Sequence, residues 1–146
     1  FREAYLEICT ERVEPYPEIT PLVKDLSDEN LSIVTNKPLS MTEKILNTLQ
    51  WESYFEPVFG PDSFGQGKPN PRPLEAVVKN WSIDPEELVM IGDSWADVRA
   101  GNALGCRTVA CLYGLGNSDR VLEESPDETV ESVEELRALL LEESSP

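Results

Sequence analysis

Val89-Met90-Ile91-Gly92-Asp93-Ser94-Trp95-Ala96-Asp97 decides the fold. Leu88 to Ile91 is an apolar run of strand length, and it ends in two carboxylates four residues apart. It reads as a short buried strand with Asp93 at its carboxyl end. Beyond it, residues 96–104 read as a helix, closed by Gly105 in the usual C-terminal glycine position. Thr108-Val109-Ala110-Cys111 is the next strand, and Tyr113-Gly114-Leu115-Gly116 is a glycine loop, too short for a dinucleotide fingerprint. Thr129-Val130 is a last strand. Ser132 and Glu135 cap a final helix that ends near Leu141.

Upstream the same alternation holds. Pro73 opens a helix through Leu74, Val77, Val78 and Trp81. Residues 62–72 form a loop that contains Lys68. Glu56-Pro57-Val58-Phe59 and Leu31-Ser32-Ile33-Val34 are strand-like, and Thr35-Asn36 stands at the end of the second. Between them Ser40 and Glu43 form a capping box for a helix carrying Met41, Ile45, Leu46 and Leu49. Thr20 and Pro21 start a short helix that reaches Leu26. Residues 1–13 read as another helix, with Phe1, Tyr5, Ile8 and Cys9 on one face, and Pro15 and Pro17 make a stiff linker after it. Asp84-Pro85-Glu86-Glu87 caps a very short turn. Strands alternating with helices predict an α/β architecture with a mainly parallel sheet.

Composition narrows the function. A formal net charge of −16 and the lack of a basic stripe exclude a nucleic-acid surface, and the acidity reads as solubility. No apolar run approaches a membrane span. Cys9, Cys106 and Cys111 are odd in number, lack zinc-like spacing and sit among apolar residues, as buried thiols in a reducing cytoplasm would. There is no histidine, so acid–base work falls to carboxylates, lysine or tyrosine. A chain that starts at Phe1 without a signal-peptide pattern is expected to be a fragment.

In such a sheet ligands sit beyond the carboxyl ends of the strands, where Thr35, Asn36 and Asp93 stand. Asp93 and Asp97 repel each other unless a cation lies beside them, and oxygen-bound Mg²⁺ fits that role, with Ser94 bonding around it. Read alone, Asp93 equally serves as a helix cap and Asp97 as a helix-face charge. Thr35 and Asn36 offer a hydroxyl and backbone N–H groups to an anion, or form a simple turn with Lys37-Pro38. Lys68, between glycines and prolines, is a point charge for a phosphate or carboxylate, or a surface lysine. The order is more specific than its parts: Lys68 follows Thr35 by 33 residues and precedes Asp93 by 25.

Thr35-Asn36-Lys37-Pro38, Gly67-Lys68-Pro69-Asn70-Pro71 and Ile91-Gly92-Asp93-Ser94-Trp95-Ala96-Asp97 resemble motifs two, three and four of the haloacid dehalogenase-like (HAD) superfamily. Within it the chain is most similar to phosphoglycolate phosphatases, and the likeness extends to Tyr16-Pro17 and Tyr54-Phe55. The resemblance implies a Rossmann-like core and a Mg²⁺-dependent phosphatase that hydrolyses a small phosphate monoester through an aspartyl-phosphate. Thr35 and the Asn36 backbone would bind phosphoryl oxygens. Lys68 would balance the nucleophile and the phosphate. Asp93 would ligate Mg²⁺, and Asp97 would support the metal directly or through water. The implied setting is cytoplasmic, and the implied partner is a small phosphorylated metabolite.

The family's first motif, Asp-x-Asp-Gly-Thr on a buried strand, is absent, and no Asp-x-Asp occurs in the chain. The expectation is therefore a chain that begins after the nucleophile. Residues 1–14 are then the last helix of a helical cap, 15–141 the α/β core, and 142–146 a frayed acidic tail. The core would lack its central first strand, which in the family lies between residues 31–34 and 88–91. Those two strands would stand about 9–10 Å apart, twice the ordinary strand spacing. Each orphaned backbone group there would cost about 1–3 kcal/mol, so another segment, a missing N-terminal piece or a strand swapped between copies must fill the slot. The isolated chain is expected to be inactive. The alternative from another class is a catalytically inactive HAD fragment or binding module. Trp95 is large for its place beside Asp93 and would narrow the site.

Overall fold

Six strands form the sheet: β1 (Glu3–Leu6), β2 (Leu31–Val34), β3 (Val58–Phe59), β4 (Leu88–Gly92), β5 (Arg107–Cys111) and β6 (Glu128–Val130). The computed structural model describes residues 3–6, 19–113 and 117–144. The order is β3-β2-β1-β4-β5-β6, and every neighbouring pair is parallel. This is the α/β class that the alternating pattern predicts.

Two expectations for the start of the chain are corrected. Glu3–Leu6 is a strand, not part of a helix, and the centre of the sheet is filled. Ala4 is in register with Leu31 on one side and Val89 on the other, and Leu6 with Ile91. The reason is the cost already estimated for an empty slot. β2 and β4 are buried along their whole length, and each needs a ladder on both edges. Four apolar residues at helical spacing are a weak preference that such pairing overrides. The rest of the expected cap helix, the Pro15–Pro17 linker and Cys9 lie outside the described residues.

Alternation along β4 sends side chains into two cores. Val89 and Ile91 join Leu22, Val23, Leu26, Leu46, Leu136 and neighbours on one face. These come largely from α1 (Ile19–Asp25), α2 (Leu39–Leu49) and α6 (Val133–Ser144). Leu88 and Met90 join Leu74, Val77, Val78 and Ala100 on the other face. Those helices are α3 (Arg72–Trp81) and α4 (Trp95–Leu104). A further short helix, α5 (Ser118–Leu122), escapes the sequence reading; Asn117 caps it, its side chain accepting from Arg120 N at 3.1 Å.

Several helix ends shift by a residue or two. α1 begins at Ile19, so Thr20 and Pro21 fall inside its first turn. α2 begins at Leu39 after Pro38, and Ser40 does not form the expected capping box. The Pro38 carbonyl instead accepts from Met41 and Thr42 N–H, which starts the helix two residues early. α6 runs on to Ser144, so residues 142–144 continue the helix where a frayed tail was expected. The Ser132 cap of α6 and the left-handed Gly105 after α4, at φ 89°, are as expected. Cys106 and Cys111 are buried, and burial pushes the Cys106 thiol up to about 12, so it stays neutral. Among the described residues no helix is long and apolar enough to cross a membrane.

Candidate active site

Because all six strands point the same way, the residues after β2 and β4 meet at one rim. Thr35 follows β2 and is buried, its N–H held by the Phe59 carbonyl at 3.0 Å. Its Oγ1 accepts from Lys37 N at 3.1 Å, so the turn there is real and uses the hydroxyl as an acceptor. The hydroxyl proton remains to be donated elsewhere. Asp93 follows β4 and is half-buried. It does not cap α4; Ser94 does, with Asp97 N donating to its Oγ at 3.3 Å.

Lys68 and Asp97 are the charged centre. Lys68 Nζ lies 2.5 Å from Asp97 Oδ1, and the two side chains are only 2% and 1% exposed. Asp97 Oδ2 accepts from Ser94 N at 3.1 Å. Asp97 thus closes the capping box of α4 while it grips Lys68, which brings together residues 29 apart in sequence. The plain reading of Asp97 as a helix-face charge does not hold: it is buried, and the capping role expected of Asp93 falls to Ser94 and Asp97. Lys68 is not a surface lysine.

Sequence reasoning missed what the glycines and the Asn36 side chain do. A Cβ on Gly92 would lie 2.2 Å from Asp97 Oδ2 and 2.4 Å from Cγ, so only glycine lets Asp97 fold back over the end of β4. A Cβ on Gly67 would lie 2.4 Å from Asn36 Oδ1. That oxygen accepts from Lys68 N at 2.9 Å, and Asn36 Nδ2 donates to Lys68 O at 2.9 Å. The available signal was a glycine directly before each of Lys68 and Asp93. On its outer side the Lys68 loop is held by Phe64, edge-on to Phe59 at 4.9 Å and under the Arg72 guanidinium at 5.9 Å.

Trp95, the first residue of α4, carries the guanidiniums of Arg99 and Arg120 over its ring at 4.9 and 4.5 Å. Glu124 ties both arginines, and the hydrogen bonds from Arg99 first and then Arg120 hold its carboxyl below the usual range. The indole therefore staples α4 to the segment after β5.

Replacing Gly92 by alanine is expected to expel the Asp97 side chain, because its atoms occupy the space a methyl needs. The expected loss is about 1–3 kcal/mol of stability, read as a lower urea midpoint at unchanged slope. An unchanged midpoint would show that the Asp97 arrangement is unimportant to the fold.

Among the described residues no cluster of three or more His, Cys, Asp or Glu is poised to hold a metal. The donors at the rim are oxygen only: Asp93, with Asp97 already engaged by Lys68 and Ser94. That set fits Mg²⁺, which uses one or two carboxylates with waters and phosphate oxygens, and it does not suit zinc.

Comparison with known proteins places this α/β sheet, with its lysine–aspartate pair buried at the carboxyl rim. The haloacid dehalogenase-like hydrolase family profile matches residues 1–111, and the chain belongs to that family. It is 35% identical over 116 residues to the phosphoglycolate phosphatase of Aquifex aeolicus, covering 78% of this chain and 54% of that protein. It is 31% identical over 138 residues to the phosphoglycolate phosphatase of Salmonella choleraesuis, covering 93% and 55%. The crystal structure of a predicted phosphoglycolate phosphatase from Haemophilus somnus 129pt superposes with a TM-score of 0.81 at 25% identity, over 90% of this chain and 58% of that one. The chain spans about half the length of these relatives.

Proposed function

We propose that this domain supplies the phosphate- and Mg²⁺-binding half of a phosphatase acting on a small phosphate monoester of the phosphoglycolate type. The observation that carries the reading is the buried Lys68–Asp97 pair at 2.5 Å beside the strand ends that bear Thr35 and Asp93. An ammonium buried this well is costly unless it serves a charge, and a transferring phosphoryl group needs such a clamp. Asp97 keeps Lys68 charged and aimed. Thr35 donates its hydroxyl proton to a phosphoryl oxygen, and the Asn36 backbone N–H takes another. Asp93 would hold the metal, and Asp97, whose oxygens already serve Lys68 and Ser94, would support it directly or through water. Bound Mg²⁺ neutralises phosphoryl charge. The attacking aspartate belongs to an Asp-x-Asp motif that these residues do not include, so the chain alone is expected to bind phosphate without turning over an ester. Phosphorylated metabolites, rather than nucleic acid or membrane, are the partners proposed.

The test is a Mg²⁺ and inorganic phosphate titration of the chain followed by amide NMR. Joint addition is expected to shift the signals of Thr35, Asn36, Lys68 and Asp93, and Asp93→Asn should remove the Mg²⁺ response. If neither ligand moves any strand-end residue, the assignment fails. In a longer form whose Asp-x-Asp strand takes the central place in the sheet instead of Glu3–Leu6, Asp93→Asn is expected to lower kcat about a hundredfold or more.

A further inference from the structure

An asparagine in a turn ordinarily bonds its own backbone two residues on. Asn36 does something else. Both polar atoms of its exposed side chain reach 32 residues along the chain, to the N–H and the carbonyl of Lys68. The amide thereby closes a two-bond ring on one residue, much as a neighbouring strand would. Gly67 makes the approach possible, because any side chain there would strike Asn36 Oδ1. The local turn at Thr35 is completed without Asn36, through Thr35 Oγ1 and Lys37 N.

We propose that the Asn36 side chain is the positioning residue for Lys68: it locks the lysine's peptide to the end of β2, so that the ammonium, Thr35 and an incoming phosphate keep a fixed geometry. This rests on Lys68 as the cation that meets phosphate, and it assigns the Asn36 side chain a duty separate from that of its backbone. Lysine is a point charge on a long flexible stem. Its tip is only as well placed as its Cα, and small misplacements of a charge clamp are costly. Asp97 fixes the tip from α4, and Asn36 fixes the root from β2. Each restrains what the other leaves free.

The experiment uses the full chain with Asn36→Ala, Gly67→Ala and Asn36→Asp. Asn36 is exposed and Gly67 half-buried, so neither site carries the core, and the two alanine variants break the ring from opposite sides. Both are expected to accelerate Lys68 amide exchange about tenfold and to move the Lys68 ammonium ¹⁵N signal, with β4 amides unchanged. Asn36→Asp keeps the acceptor for Lys68 N–H and should hold that amide's exchange within about threefold of the unaltered chain. Inorganic phosphate should then bind the alanine variants about tenfold more weakly. Unchanged Lys68 amide and ammonium signals in both alanine variants overturn the positioning role. A phosphate titration that leaves the Lys68 ammonium unmoved in the unaltered chain overturns the phosphate reading, and with it the purpose of the lock, even where the exchange results are as expected.

Discussion

Ala4→Pro is expected to unfold the domain or to leave it with no cooperative transition. Ala4 sits in the central strand, in register with Leu31 and Val89. Proline has no N–H for the ladder and is found essentially only on edge strands or at bulges. Losing the strand also orphans donors and acceptors on the inner edges of β2 and β4, two strands buried along their length. At about 1–3 kcal/mol for each orphaned group, a few such losses exceed the 5–15 kcal/mol that holds a typical domain together. Urea unfolding followed by circular dichroism reads the result directly. Were residues 1–6 part of a peripheral helix, the main transition would survive, and a midpoint close to that of the unaltered chain would restore that reading. Hydrogen exchange gives a second check. Tyr5 and Leu6 amides should be protected to the same degree as those of Ile33 and Met90.

The second large effect concerns the buried ion pair. Asp97→Leu and Lys68→Met, taken singly, are each expected to cost about 3–5 kcal/mol, because each removes one charge of a pair held almost out of water. Asp97→Leu also removes the acceptor for Ser94 N at the start of α4. The double variant should cost clearly less than the sum, since two apolar side chains of similar length tolerate burial where one lone charge does not. The measurement is a double-mutant cycle in urea, with a coupling of about 2 kcal/mol or more expected. Additive single losses would mean that the 2.5 Å contact contributes little, and would weaken the argument that Lys68 is kept charged for phosphate.

Much of this site can be read in the order of its residues, and the reasons differ by residue. Asp93 and Thr35 are legible because a buried strand that ends in a polar group is a local pattern, and the parallel topology then brings such ends together. Lys68 is legible only in company. Its loop carries no periodicity, and nothing within it says that the side chain turns inward to Asp97. Asn36 and the two glycines were present in the quoted motifs, yet their duties lie in contacts across 32 residues or in the space a missing Cβ leaves open. No local rule reports either. The misreading of residues 3–6 has the same origin. Glu-Ala-Tyr-Leu is ambiguous between helix and strand, and the decision is made by two strands far along the chain. Helix ends such as Leu39 shifted because a proline carbonyl can start a helix as well as a serine hydroxyl can cap one.

The central place of β1 also sets a timetable. Its two partners are made well after it, and Gly92, the end of β4, leaves the ribosome 86 residues later than Leu6. At a synthesis rate of about 5–20 residues per second, Leu6 waits roughly 4–17 s before its second neighbour exists. For that interval a strand meant for the middle of the sheet has an open edge, and any exposed strand nearby can add to it. Closing so long a loop is slow as well. A contact at the centre of the sheet thus waits on a strand made much later. This domain should gain more than most from a chaperone that shields residues 3–6, and refolding from urea should slow as concentration rises and stray pairings compete.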